Sequence, residues 1–91
     1  MAGSDIKASY VTATGTVVGG PARLCQISYH SAGSTGKMVV RDGGASGTTL
    51  LTLDFHANTT GEVSIPEEGM RFGTDIHVTY TNITSATFFY K

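Results

Sequence analysis

From Lys37 to Phe55 the chain reads KMVVRDGGASGTTLLTLDF, two apolar and β-branched stretches on either side of the loop Asp42-Gly43-Gly44-Ala45-Ser46-Gly47. Outward and inward positions alternate along both stretches, and glycines supply the positive φ values that a reversal needs. The pattern predicts a β-hairpin. Met38 and Val40 share one face of its first strand, and Leu51, Leu53 and Phe55 share one face of the return strand. Burying those faces fixes the register, because a one-residue slip would turn all of them to water.

The same unit recurs along the chain. Lys7 to Thr14 reads as a strand with Tyr10 and Thr12 on one face and Ser9, Val11 and Ala13 on the other. Gly15 interrupts it at a bulge or bend before Thr16-Val17-Val18. After the turn Gly19-Gly20-Pro21, Ala22 to His30 sets Arg23, Cys25, Ile27 and Tyr29 against Leu24, Gln26, Ser28 and His30, which predicts Cys25 and Ile27 inward. Ser31 to Gly36, with small side chains and no apolar anchor, reads as a solvated connection. Ala57 to Gly61 is a second loop, followed by Glu62 to Ile65 with Val63 and Ile65 inward.

Pro66-Glu67-Glu68-Gly69 is a turn in which Pro66 ends pairing and the two glutamates face solvent. Met70 to Gly73 leads into Asp75 to Tyr80, where Ile76, Val78 and Tyr80 alternate with His77 and Thr79. A reversal at Thr81-Asn82-Ile83-Thr84 precedes Ser85 to Tyr90. Almost no segment is patterned for a helix. Seven or eight short strands in one domain over residues 1–91, with residues 1–6 as a flexible N-terminal segment, predict a small antiparallel β-sandwich of jelly-roll or Greek-key kind. A closed barrel demands the same alternation and is the alternative. The expected core is Leu51, Leu53, Val63, Ile76 and Val78. Phe88, Phe89 and Tyr90 are consecutive, so they cannot all enter one core, and a loop, the N-terminal segment or another subunit must cover the remainder.

Composition narrows the function. A chain of 91 residues buries only about 60 to 65% of its unfolded surface, so a partner would add stability. Charged residues make up 14% and the formal net charge is −1, leaving neutral surface for self-association. Lys7, Arg23, Lys37, Arg41, Arg71 and Lys91 are scattered singly, with no basic stripe for nucleic acid. No signal peptide and no membrane span is read. The lone Cys25 reads as a small buried hydrophobe rather than a reactive thiol. Asn58-Thr59-Thr60 and Asn82-Ile83-Thr84 match the glycosylation pattern but read as turns.

Candidate chemistry is sparse. His30, His56 and His77 lie on three separate segments without metal-ligand spacing. No G-x-S-x-G signature occurs, and the carboxylates Asp42, Asp54, Glu62, Glu67, Glu68 and Asp75 have little room for a substrate cleft in so small a domain. The glycine loop lacks the ending of a P-loop and no helix follows it. No catalytic, cofactor-binding or metal residue is assigned, and no cofactor is expected. A sugar site is the better competitor, built on Tyr10, Tyr29 or Tyr80 in the absence of tryptophan.

Ala22-Arg23-Leu24, Val40-Arg41-Asp42-Gly43, Thr48-Thr49-Leu50-Leu51, Ile65-Pro66, Gly69-Met70-Arg71-Phe72 and the closing Phe88-Phe89-Tyr90 carry a resemblance. Through them the run from Ala22 to Tyr90 resembles a family of very small proteins encoded among the structural genes of marine tailed phages, including cyanophages. The resemblance brings no catalytic residues. It implies a virion-associated structural role, in capsid decoration or in the tail, with the protein in the host cytoplasm during assembly. The expectation is a non-enzymatic homo-oligomer, a trimer by analogy with other jelly-roll virion proteins, docking on other virion proteins and binding neither nucleic acid nor membrane. A small carbohydrate-binding β-sandwich module is the alternative, and a small hydrolase stands behind it.

Overall fold

The computed structural model describes residues 6–66 and 69–91. Two expectations, the flexible segment as far as it concerns residues 1–5 and the solvated pair Glu67 and Glu68, lie outside the described residues. The described residues form nine strands: β1 (Lys7–Val11), β2 (Gly15–Val18), β3 (Ala22–Ser31), β4 (Gly36–Asp42), β5 (Thr48–Phe55), β6 (Thr60–Ser64), β7 (Met70–Phe72), β8 (Ile76–Thr81) and β9 (Ile83–Tyr90). Every pairing is antiparallel, and the described residues contain no helix. One sheet runs β1-β9-β3-β6 with β7 in line beside β6 on the same edge of β3, and the other runs β2-β8-β4-β5.

The pairs β1 with β9, β2 with β8, β3 with β6 and β4 with β5 are successive rungs of one long hairpin whose tip is the glycine loop. Folding that hairpin over brings β3 against β9 and β4 against β8. This is the strand order of a jelly roll. The strand beyond the seven or eight expected is β7, whose three residues are too few to show an alternation.

The interior is built from both sheets. Leu24, Ile27, Met38, Val40, Phe72, Ile76, Val78 and Phe88 are wholly covered, each contributing roughly 1.5 to 3 kcal/mol of transfer free energy. Cross-strand register stacks them, with Ile27 opposite Phe88 and Val40 opposite Val78. Tyr29 also turns inward, its ring centroid 4.2 Å from that of Phe55. The expected core is corrected in part: Ile76 and Val78 are central, but Leu51, Leu53 and Val63 are only half-buried and pack against the margin of the cluster. They lie on β5 and β6, the last strands of their sheets, with no further strand beside them among the described residues.

The three consecutive aromatics divide as strand geometry demands. Phe88 fills the core, Tyr90 packs against it, and Phe89 lies on the outer face of its sheet beside Ala8 of β1 and Gln26 of β3.

Irregularities in the ladders correct the simple alternation. Between Leu24 and Gln26 the register of β3 on β9 shifts, making Cys25 the extra residue of a β-bulge. Leu24 and Ile27, three residues apart, are therefore both buried, and Cys25 is half-buried rather than in the core. A bulge within β5 makes Leu50 its extra residue and leaves it 38% exposed. Ser31 is not part of a solvated loop: it extends β3 and is fully buried. Its hydroxyl bonds the His56 carbonyl at 2.7 Å and accepts the Thr59 N–H at 2.8 Å.

Two connections close the sandwich. Asn82, in the left-handed conformation with φ 56°, is the single residue between β8 and β9, so the reversal expected there is a crossing from one sheet to the other. Gly36 is required beneath it, since a Cβ at that position would meet the Thr81 and Asn82 carbonyl oxygens at 2.8 Å. At the opposite end, Asp42 accepts the N–H groups of Gly73, Thr74 and Asp75, while Asp75 accepts those of Gly43 and Gly44. Those amide donors, with Gly43 and Gly44 at φ 108° and 82°, are thus taken by the protein's own carboxylate.

Candidate functional site

The outer face of the five-stranded sheet gathers the polar chemistry of the molecule. Directly opposed residues of antiparallel strands project to the same side, and register lines up Tyr10, Thr87, Ser28 and Glu62 as one row across β1, β9, β3 and β6. The adjacent row is Ser85, His30 and Thr60. Together they line a shallow concavity of about 540 Å³. Tyr10, 68% exposed, offers one apolar ring face at its margin, while the hydroxyls, the imidazole and the carboxylate offer donors and acceptors across its floor. A ligand dense in hydroxyl groups matches that arrangement.

At the other end of the same face, a second cluster forms. Arg23 of β3 stands directly opposite Arg71 of β7, and on its other side exchanges two backbone hydrogen bonds, of 2.8 and 2.9 Å, with Lys91. All three side chains therefore leave the sheet on one side, around a concavity of about 320 Å³ that Pro21 and Phe72 help to line. The bulge at Cys25 makes this arrangement. Simple alternation groups Arg23 with Ile27, on the core face; the extra residue turns Arg23 outward. Three of the six cations that look scattered along the chain are thus brought together by pairing that links the start of β3, β7 and the residue after β9.

The histidines do not converge. His30 is exposed on the outer face of the five-stranded sheet, His56 is exposed beyond β5, and His77 of β8 belongs to the other sheet. Among the described residues no three His, Cys, Asp or Glu side chains are grouped to hold a metal. His77 is 8% exposed although it faces away from the core, in register with Arg41 and Thr16; its Nδ1 has no hydrogen-bond partner among the described residues. The Arg41 guanidinium beside it donates to the Thr79 hydroxyl at 2.9 Å.

Of the tyrosines proposed for a sugar site, only Tyr10 is open to solvent. Tyr29 is turned into the sandwich, and Tyr80 donates its hydroxyl to the Val11 carbonyl at 3.0 Å, with burial pushing its ionisation above the usual range. Asp42 is held below its ordinary value of 3.8 by the N–H groups of Gly73 and Thr74. It serves as a clasp between loops. No family model, curated protein or solved structure matches this chain. No helix of the described residues is long and apolar enough to cross a membrane.

Proposed function

We infer that the protein is a non-enzymatic structural component of a phage virion, in capsid decoration or in the tail, that acts by self-association and by docking on other virion proteins. The observation that carries self-association is the outer edge of β5. Its eight residues pair with β4 on one side and have no strand beside them on the other among the described residues. The remaining edges are defended: β2 is four residues long and bulged, β1 opens on Lys7, and the edge of β6 and β7 is broken at Ile65-Pro66. β5 carries one charge, Asp54, and an exposed Leu50.

Such an edge is a template for pairing unless an assembly closes it. A closed trimer, the form expected of a jelly-roll virion protein, joins β5 to a different edge of the next copy, whereas a dimer pairs two β5 strands about a two-fold axis. The resemblance of Ala22 to Tyr90 to small phage structural proteins supports the virion setting. Light scattering coupled to size exclusion tests the reading. The expected mass is a multiple of 9.5 kDa, reduced to the monomer by Leu50→Lys, which places a charge on the edge. A monomer persisting at high micromolar concentration overturns it.

The row Tyr10, Thr87, Ser28 and Glu62 favours a second reading, a carbohydrate-binding module. Glycan-array binding abolished by Tyr10→Ala and indifferent to Leu50→Lys would select it.

A further inference from the structure

We propose that Arg71, Arg23 and Lys91 form a binding site for a single tetrahedral oxyanion, phosphate or sulfate, either free or as a monoester. The argument starts from a cost. Like charges directly opposite on neighbouring strands repel, yet Arg23 and Arg71 hold that position and Lys91 is added on the open side of Arg23. Asp42 lies close enough for its charge to be felt with that of Arg71 and offsets it in part, while its oxygens accept three N–H groups of the 73–75 loop.

Two guanidinium forks and an ammonium around one concavity supply more donors than a single-charged planar carboxylate can accept. A tetrahedral oxyanion offers more acceptor oxygens, arranged in three dimensions, than a planar carboxylate does. Pro21 closes one margin of the concavity. The site lies at the opposite end of the outer face from His30 and does not depend on self-association.

Nuclear magnetic resonance titration at constant ionic strength tests it, with sodium phosphate, sodium sulfate and methyl phosphate as probes and chloride as the reference. The expected result is saturable shifts at the amides of Arg23, Arg71 and Lys91, with affinity weakened roughly tenfold or more in Arg71→Gln and Lys91→Gln. A melting curve gives an independent readout. Phosphate should raise the melting temperature of the parent by more than that of Arg71→Gln, measured against chloride. Methyl phosphate binding at least as tightly as phosphate assigns the site to an esterified group on a larger ligand, and the reverse assigns it to the free ion. Shifts that stay linear with concentration, or equal affinity in parent and both variants, overturn the proposal.

Discussion

β3 and β5 look alike in sequence, both long, alternating and rich in apolar residues, but the fold uses them in opposite ways. β3 is ten residues long and flanked on both sides, by β9 and by β6 with β7; β5 is eight residues long and, among the described residues, flanked by β4 alone. The same inward alternation consequently has different worth. Leu24 and Ile27 on β3 are wholly covered, while Leu51 and Leu53 on β5 are half-buried. Alternation reports that a residue faces a core; the neighbours of its strand decide how much water is removed.

The largest effect that would break this comparison is a difference between two truncations. Ile27→Ala should cost about 2 to 5 kcal/mol in urea unfolding, since its site is closed on every side. Leu53→Ala should cost roughly 1 to 2 kcal/mol, because its side chain already keeps part of its water. Equal losses would show that β5 is covered in solution, as a β5-mediated assembly would cover it.

The far end of β3 supplies the next test. Ser31 holds the His56 carbonyl and the Thr59 N–H, tying the end of β5 to the start of β6 across the sandwich. Ser31→Ala leaves that N–H and carbonyl without a partner, with an expected loss of about 1 to 3 kcal/mol. In sequence the serine reads as loop, because a small polar residue before Ala32-Gly33 has the composition of a solvated turn, and only the third dimension shows what its hydroxyl meets.

The other end of β5 is anchored by charge. Asp42 has a depressed pKa in the folded state, so its stabilisation is present above the unfolded value and is lost as pH falls from 3.8 through the folded one. The parent protein should lose stability over that acid range, and Asp42→Asn should flatten the loss. Melting curves collected between about pH 5 and pH 2 give the comparison; parallel parent and variant profiles would remove Asp42 from the anchoring of the glycine loop.

The hairpin from Lys37 to Phe55 was legible, apart from the bulge at Leu50, because turn chemistry and inward pattern are local and agree. The rest of the sandwich was legible as strands but not as neighbours. Nothing in Leu51, Leu53 or Val63 says that their strands end a sheet, and nothing near Arg23, Arg71 or Lys91 says that they meet. The candidate site was correspondingly half visible: Tyr10 is one of three tyrosines that the sequence offers for a sugar site, whereas the cationic row depends on a bulge and on pairings between distant parts of the chain.

That bulge gives the smallest expected effect and the sharpest reading of β3. If the strand alternated without interruption, Cys25 would share the core face with Ile27, and Cys25→Ser would bury a hydroxyl among hydrocarbon at a cost of about 1 to 3 kcal/mol. In the bulged register Cys25 is half-buried, with Sγ 3.7 Å from the Arg23 carbonyl oxygen. A serine there keeps an acceptor within reach and access to water. Cys25→Ser should therefore stay within about 0.5 kcal/mol of the parent. Leu24→Ala should instead show a loss comparable to that of Ile27→Ala, on the order of 2 to 5 kcal/mol, since the bulge turns both inward. A costly Cys25→Ser beside a neutral Leu24→Ala would restore the uninterrupted strand, return Arg23 to the core face and dissolve the row it forms with Arg71 and Lys91.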